Sequence, residues 1–323
     1  MKAEKLNLVE ISKICANEDS ARDLLESILW PNGPVCPHCK GTKAYKINSA
    51  AGSSTRTGLY KCAACRKQFT VTVGTIFADS HIPISKWMMA IFILCSAKKA
   101  ISAHQLHRSL GIAYKSAWFM AHRLRHAMAS ETFAKQLTGT VEVDETYIGG
   151  KNTGKGWAAN LDNKTPVVTL VERGGDARSM VMDRVTGANL KSAARENVML
   201  CSNVYTDEHM GYVGLEPKFE HKRVKHTAKE YARREGTEVV HTNTVEGFFS
   251  LLKRGVIGSF HHVSRKHLPK YLSEFDFRYN HRKTTDGERT VAALLRTPGK
   301  RLQNASLTAN TVTKRCPVLD LWT

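Results

Sequence analysis

Three acidic positions could do chemistry together. Asp144 lies in Thr140-Val-Glu-Val-Asp-Glu-Thr-Tyr-Ile-Gly149, where apolar and polar residues alternate with the period of a strand half-facing a core. On such a strand Val141 and Val143 share one face, and Glu142 and Asp144 the other. A carboxylate among β-branched neighbours is costly to desolvate unless something cationic compensates it. Asp207 ends a second strand-like segment, Asn203-Val-Tyr-Thr-Asp207. Glu246 lies in His241-Thr-Asn-Thr-Val-Glu-Gly-Phe-Phe-Ser-Leu-Leu-Lys-Arg254. There Val245, Phe248, Phe249 and Leu252 recur with helical spacing, leaving Asn243, Glu246, Ser250 and Lys253 as a polar stripe. Three oxygen donors in one pocket suit Mg²⁺ or Mn²⁺, which are hard cations. Two such ions can activate an attacking oxygen and stabilise a leaving one in phosphodiester displacement.

Each acid also has a plainer role open to it. Asp144 can be a polar residue at a strand end, and Asp207 the N-cap of a following helix. Glu246, three residues after Asn243, fits a capping-box-like arrangement. Asn243 and Glu246 lie one turn apart, so either could supply the third ligand, with a carboxylate the better match to the ion's charge. Tyr205 and Tyr212 read as packing residues.

Cysteine supplies a second site. Cys36-Pro-His-Cys39 and Cys62-Ala-Ala-Cys65 are two C-x-x-C knuckles at the spacing of a structural zinc ribbon, each placing two thiolates on one tight turn. Four cysteines close a tetrahedron, which leaves His38 a bystander. Cys15, Cys95, Cys201 and Cys316 are scattered and read as small buried hydrophobes.

The elements that must position these residues follow from the chain in order. Its 323 residues, 42% of them hydrophobic, are enough for about two domains with ample core. Lys and Arg total 48 against 29 Asp and Glu, a net charge of +19 that points to a polyanionic partner, nucleic acid before membrane. No apolar leader is visible at the N-terminus, and the longest apolar run, Trp87 to Cys95, is too short to cross a bilayer. A cytoplasmic protein with no membrane partner is the expectation.

Residues 1–30 read as a helical lead-in and 31–80 as the zinc ribbon, with a loop from Ile47 to Gly58. Residues 81–130 read as a helix-turn-helix-like region: Ser102 to Leu110, a turn at Gly111, then Tyr114 to Met128. Its second helix carries Lys115, Ser116, His122, Arg123 and Arg125, suited to reading a groove. A solvated helical linker is the plain alternative. From Thr140 the period changes to that of strands, with segments at 140–149, 166–172, 178–185, 203–207 and 219–226. A basic turn, Gly149 to Gly156, follows the first, and helices fall at 189–197, 243–255 and 264–281. That order is an α/β fold, an RNase H-like mixed sheet with flanking helices, over 138–290; residues 291–323 read as a tail. On this division residues 1–130 are expected to bind DNA without cutting it.

The chain resembles bacterial insertion-sequence transposases of the ISXO-like family. The resemblance rests on Trp30-Pro-Asn-Gly33, the two knuckles, Val73-Gly-Thr-Ile-Phe77, Val141 through Lys151, Val204-Tyr-Thr-Asp207, His241 through Arg254, and Ser264 through Arg282. It implies a zinc ribbon, a helical DNA-binding region and a DDE-type catalytic domain. Asp144, Asp207 and Glu246 then take Mg²⁺ or Mn²⁺, and Lys253 and the neighbouring Arg254 contact DNA. The implied reaction cuts the element's terminal inverted repeats with water and joins the freed 3′-hydroxyl to double-stranded target DNA. A homodimer or larger assembly acting on the nucleoid is implied with it. The rival readings are a DNA-binding regulator derived from a transposase and an RNase H-like nuclease or resolvase.

Overall fold

The computed structural model describes residues 3–47, 57–129, 135–150, 164–216, 218–228, 230–236 and 238–308. The expected basic turn lies outside these residues from Lys151 onward, as do Cys316 and most of the expected ribbon loop.

Two short helices open the fold, α1 (Leu8–Cys15) and α2 (Glu18–Leu29). Each starts at an asparagine, Asn7 and Asn17, whose side chain accepts two orphan backbone N–H groups. The ribbon follows as an antiparallel sheet of β1 (Ala44–Ile47), β2 (Leu59–Cys62) and β3 (Gln68–Phe69). Then come α3 (Ile84–Ser96), α4 (Ala103–Leu110) and α5 (Tyr114–Met128). Ser102 caps α4, and Gly111 ends it at φ 59°, a left-handed position that favours glycine. The helix–Gly–helix pattern read from the sequence is thus present.

Five strands make a mixed sheet in the order β6-β5-β4-β7-β8: β4 (Thr140–Gly149), β5 (Lys164–Glu172), β6 (Ala177–Val181), β7 (Asn203–Thr206) and β8 (Glu220–Arg223). β4 pairs antiparallel with β5 and parallel with β7, so the sheet turns from antiparallel to parallel at β4. Helix α6 (Gly187–Asn197) crosses from β6 to β7 over the Val141 and Val143 face. The opposite face is covered by α7 (Asn243–Gly255) and α8 (Leu268–Asn280), with Val245, Phe248, Phe249 and Leu252 buried as their spacing predicted. This is the RNase H-like order of elements, corrected in one place. A hairpin, β9 (Ala232–Glu235) and β10 (Glu238–His241), is inserted between β8 and α7.

Beyond residue 285 the chain is helical again: α9 (Asp286–Leu295), opened by a Thr285–Glu288 capping box, and α10 (Asn304–Thr308). Ala293 and Leu294 of α9 and Phe277 of α8 share one core with Leu25, Trp87, Ile91, Leu106 and Leu124. The helices before the sheet and those after it are therefore packed as one body. No helix among the described residues is long and apolar enough to cross a membrane.

Candidate active site and DNA-facing residues

The parallel pairing of β4 with β7 sets Val143 beside Thr206, so Asp144 and Asp207 leave neighbouring strand positions at the same end. Asp144 accepts the backbone N–H of Glu145 at 2.7 Å, and Asp207 accepts that of His209 at 3.0 Å in an Asx turn. Burial, followed by the charge of Asp207, pushes the Asp144 carboxyl up to about 7. The nearby charges that act on it most, Asp207, Glu145 and Glu246, are all negative.

Glu246 reaches the same place from α7. An open cleft of about 670 Å³ is lined by Asp144, Glu145, Glu246, Lys253 and Arg254, with Phe249 and Ile257 as its apolar wall. The Thr242 hydroxyl donates to Glu246 Oε1 at 3.0 Å, and His226 Nε2 lies 3.5 Å from the same oxygen. Asp144 and Glu246 both line this cleft; Asp207 is not in its lining and is felt at Asp144 through its charge. The three carboxylates do not close to a tight cluster: among the described residues the cysteines alone form a group of three or more His, Cys, Asp or Glu ligand atoms within 4.8 Å of one another. Carboxylates at this spacing are oxygen donors of the kind hard divalent cations take.

What aims α7 at the cleft is Glu142, fully buried on the Asp144 face of β4. It accepts the backbone N–H groups of Thr244 at 2.7 Å and Val245 at 3.1 Å, and the Thr244 hydroxyl at 2.8 Å. Arg173 Nε donates to it at 2.6 Å and supplies the cation that a buried carboxylate needs. Asn243 is the first residue of α7 and not its cap; the N-cap, Thr242, makes no capping bond of its own. The helix N-terminus is capped from another strand, 102 residues away in sequence. Glu145, on the other face, accepts the Tyr212 hydroxyl at 2.6 Å, and Tyr205, also buried, donates to Glu238 at 3.0 Å. Both tyrosines are buried packing residues, each with its hydroxyl spent on an acid.

The four ribbon thiols do converge. Cys36 and Cys65 sulfurs lie 3.6 Å apart and those of Cys39 and Cys62 3.5 Å. A tetrahedron with Zn–S bonds of about 2.3 Å has sulfur edges of about 3.8 Å, so the four fit zinc. The backbone N–H of Cys65 holds the Cys62 thiol down to about 6, whereas burial and the neighbouring thiols push Cys65 up to about 11. His38 is exposed outside this set. Cys95 is buried and Cys15 half-buried, but Cys201 is exposed, against the expectation for it.

The expected DNA contacts divide. Lys253 and Arg254 are exposed in the cleft and Lys115 is exposed at the start of α5. Arg123 and Arg125 are buried instead. Arg123 donates to the carbonyls of Ile76 and Ala78 at 2.8 and 2.9 Å, and Arg125 to Glu274 of α8 at 2.6 Å. His122 beside them is fully buried. These three hold α5 in the helical body and face no groove.

Residues 136–280 match the family model of the ISXO2-like transposase domain, and residues 16–68 that of the transposase zinc-ribbon domain. A Halobacterium salinarum protein described as an uncharacterized protein in transposable element ISH50 is 27% identical over 283 residues, 82% of this chain and 92% of that one. Among solved structures, the Drosophila P element transposase strand transfer complex is matched at a TM-score of 0.26 and 8% identity, over 63% of this chain and 58% of that one.

Proposed function

The chain belongs to the ISXO2-like transposases, and from that premise we propose that it cuts the ends of its insertion sequence and joins the freed 3′-hydroxyl to target DNA. The reading is carried by one observation: Asp144, Glu246, Lys253 and Arg254 line a single cleft, and the charge of Asp207 acts on Asp144. Asp144, Asp207 and Glu246 would hold Mg²⁺ or Mn²⁺, and such ions, when bound, activate the attacking oxygen and stabilise the leaving one. Lys253 and Arg254 draw the scissile phosphate and its neighbours into the cleft as fixed positive charge. Glu142 and Arg173 keep α7 in register with β4, so that two carboxylates from distant parts of the chain hold one geometry. The zinc-binding ribbon and the exposed start of α5 supply DNA contacts away from the cleft. Because two ends are joined in one event, the active form is at least a dimer on DNA, acting on the nucleoid.

The test is an assay on the element's own terminal repeats with Mg²⁺ and a target plasmid. Wild type should cleave and join; Glu246→Gln should do neither while binding the repeats and melting like wild type. Asn243→Ala should remain active. Cleavage without joining would make the protein a nuclease, and binding alone a regulator. An active Glu246→Gln beside a folded, inactive Asn243→Ala would move the third ligand to Asn243.

A further inference from the structure

The acidic cleft does not end at α7. Its wall residues Arg254 and Ile257 also line a neighbouring hollow of about 360 Å³, completed by Lys99, Gly258 and Ser259. The two hollows form one continuous path. It runs from the carboxylates over the end of α7 to the link between α3 and α4. Ile257 sits on this path 70% exposed, while its neighbour Val256 is buried. It lies in a wide turn, Val256–Phe260, that follows α7 directly.

This surface is tied down at several points. The carbonyl of Lys99 accepts from Arg278 at 3.0 Å, and the Ser259 hydroxyl donates to the carbonyl of Ala100 at 3.4 Å. Gly255 leaves no gap: a Cβ there would stand 2.3 Å from Phe275 Cζ and 2.8 Å from the Lys99 carbonyl. The link is thus clamped onto the end of α7, and only three residues beyond Lys99 the Ser102 cap opens α4.

Resting on the transposase reading, we propose that this path is the DNA track between the helix–turn–helix and the cutting site. Lys99 and Arg254 hold the phosphate backbone, and Ile257 enters the duplex as a wedge between base steps. Two cations and an exposed aliphatic tip lining one hollow match a polyanion with an apolar interior. Apolar wedges inserted from the minor groove partly unstack a base step and kink the duplex there. A second protein seated here would have to bring acidic residues to Lys99 and Arg254.

The experiment uses full-length protein and terminal-repeat DNA carrying 2-aminopurine beside the cleavage phosphate, without divalent ions. Wild-type binding should raise the fluorescence as the step unstacks. Ile257→Ala should bind with wild-type salt dependence and lose that rise. Lys99→Ala should keep the rise but bind less tightly, with a log–log salt slope lower by about 1. If wild type binds the repeats, and cuts them once Mg²⁺ is added, while both variants behave as wild type, the track is wrong and the transposase reading stands. If wild type neither binds nor cuts them, both fall. If Ile257→Ala instead turns a DNA-free dimer into a monomer, the surface is a protein contact and the track is overturned.

Discussion

The carboxylate of Glu142 accepts the backbone N–H of Thr244 at 2.7 Å, and so fastens the N-terminus of α7 to β4 two residues from Asp144. The distance between the acids of two elements is therefore set by a third acid that is not itself in the cleft. Glu142→Ala leaves Arg173 and two buried N–H groups without their acceptor, a loss of about 3–5 kcal/mol, and is expected to melt early. Glu142→Gln keeps the side chain's length and one acceptor oxygen, and is expected to fold. With α7 less firmly held, its cleavage should need several-fold more Mg²⁺ for half-maximal rate while DNA affinity is unchanged. A mere loss of folded protein would lower the rate at every Mg²⁺ concentration without moving that midpoint. An unmoved midpoint would end the positioning role.

The parts of this site that sequence reveals are those written in local period. Alternation put Glu142 and Asp144 on one face of β4, and the Val245, Phe248, Phe249, Leu252 stripe turned Glu246 to the polar side. The parts it conceals depend on partners far along the chain. Arg125 on a helix reads as a groove contact until Glu274, 149 residues on, is seen to bury it. Asn243 reads as a cap because the true cap comes from β4. The β9–β10 hairpin has almost no apolar alternation; its strands pair through a backbone ladder, and Lys222 of β8 bridges Glu235 and Glu238 at 3.1 and 2.6 Å. Helix α9 did carry a signal, Thr285 followed three residues later by Glu288, which marks a helix start just before the boundary at 290 and a helix that runs on to Leu295, into the expected tail.

Zinc should be required for the ribbon and not merely held by it. Its third strand has two residues, and its small core stacks Trp30, Tyr60 and Phe69 around the buried Cys36 and Cys62. So little sheet is not stable alone, and metal binding supplies the folding energy. Cys62→Ser should lower zinc from one per chain to near none, and Trp30 emission should shift as its T-shaped contacts loosen. A chelator should do the same to wild type. Equal zinc content in the two proteins would refute this.

Two buried groups should give stability opposite pH slopes. Burial pushes Asp276 up to about 7, although the N–H and hydroxyl of Ser179 donate to it at 2.8 and 2.7 Å. From about 3.9 in an unfolded chain to that value the folded state binds more protons, so this contribution falls as pH rises. His122 is the reverse. Burial first, then Arg125, His267 and Lys270, hold it down to about 3. Between there and about 6.5 the unfolded state binds more protons, and stability rises with pH. The slopes oppose each other between about pH 4 and 6.5. Asp276→Asn should therefore gain stability with pH across that window, and His122→Leu should lose it, as chemical denaturation at several pH values would show. The same slope in both variants would contradict the assignment.

Residues 1–130 are not expected to stand alone as the DNA-binding part. Arg125 Nε donates to the fully buried Glu274 at 2.6 Å, and Arg278 bonds the same carboxylate. Burial pushes Glu274 up, but Arg278 and Arg125 outweigh it and hold the carboxyl below its ordinary range. A buried charge with two cations is costly to break from either side: Glu274→Ala should destabilise the chain by about 3–5 kcal/mol, since both guanidiniums lose their anion. A fragment ending at residue 130 makes the same break and more. It strands Arg125, and it uncovers the Met88, Ile91 and Leu124 core that Phe277, Ala293 and Leu294 close. The fragment is expected to melt without a cooperative transition and to aggregate, whereas full-length Glu246→Gln stays monodisperse and binds the terminal repeats. Calorimetry and light scattering on the two decide it. A soluble 1–130 fragment with a sharp melt would show that the helices before the sheet form a domain of their own, and that Glu274 joins two finished units.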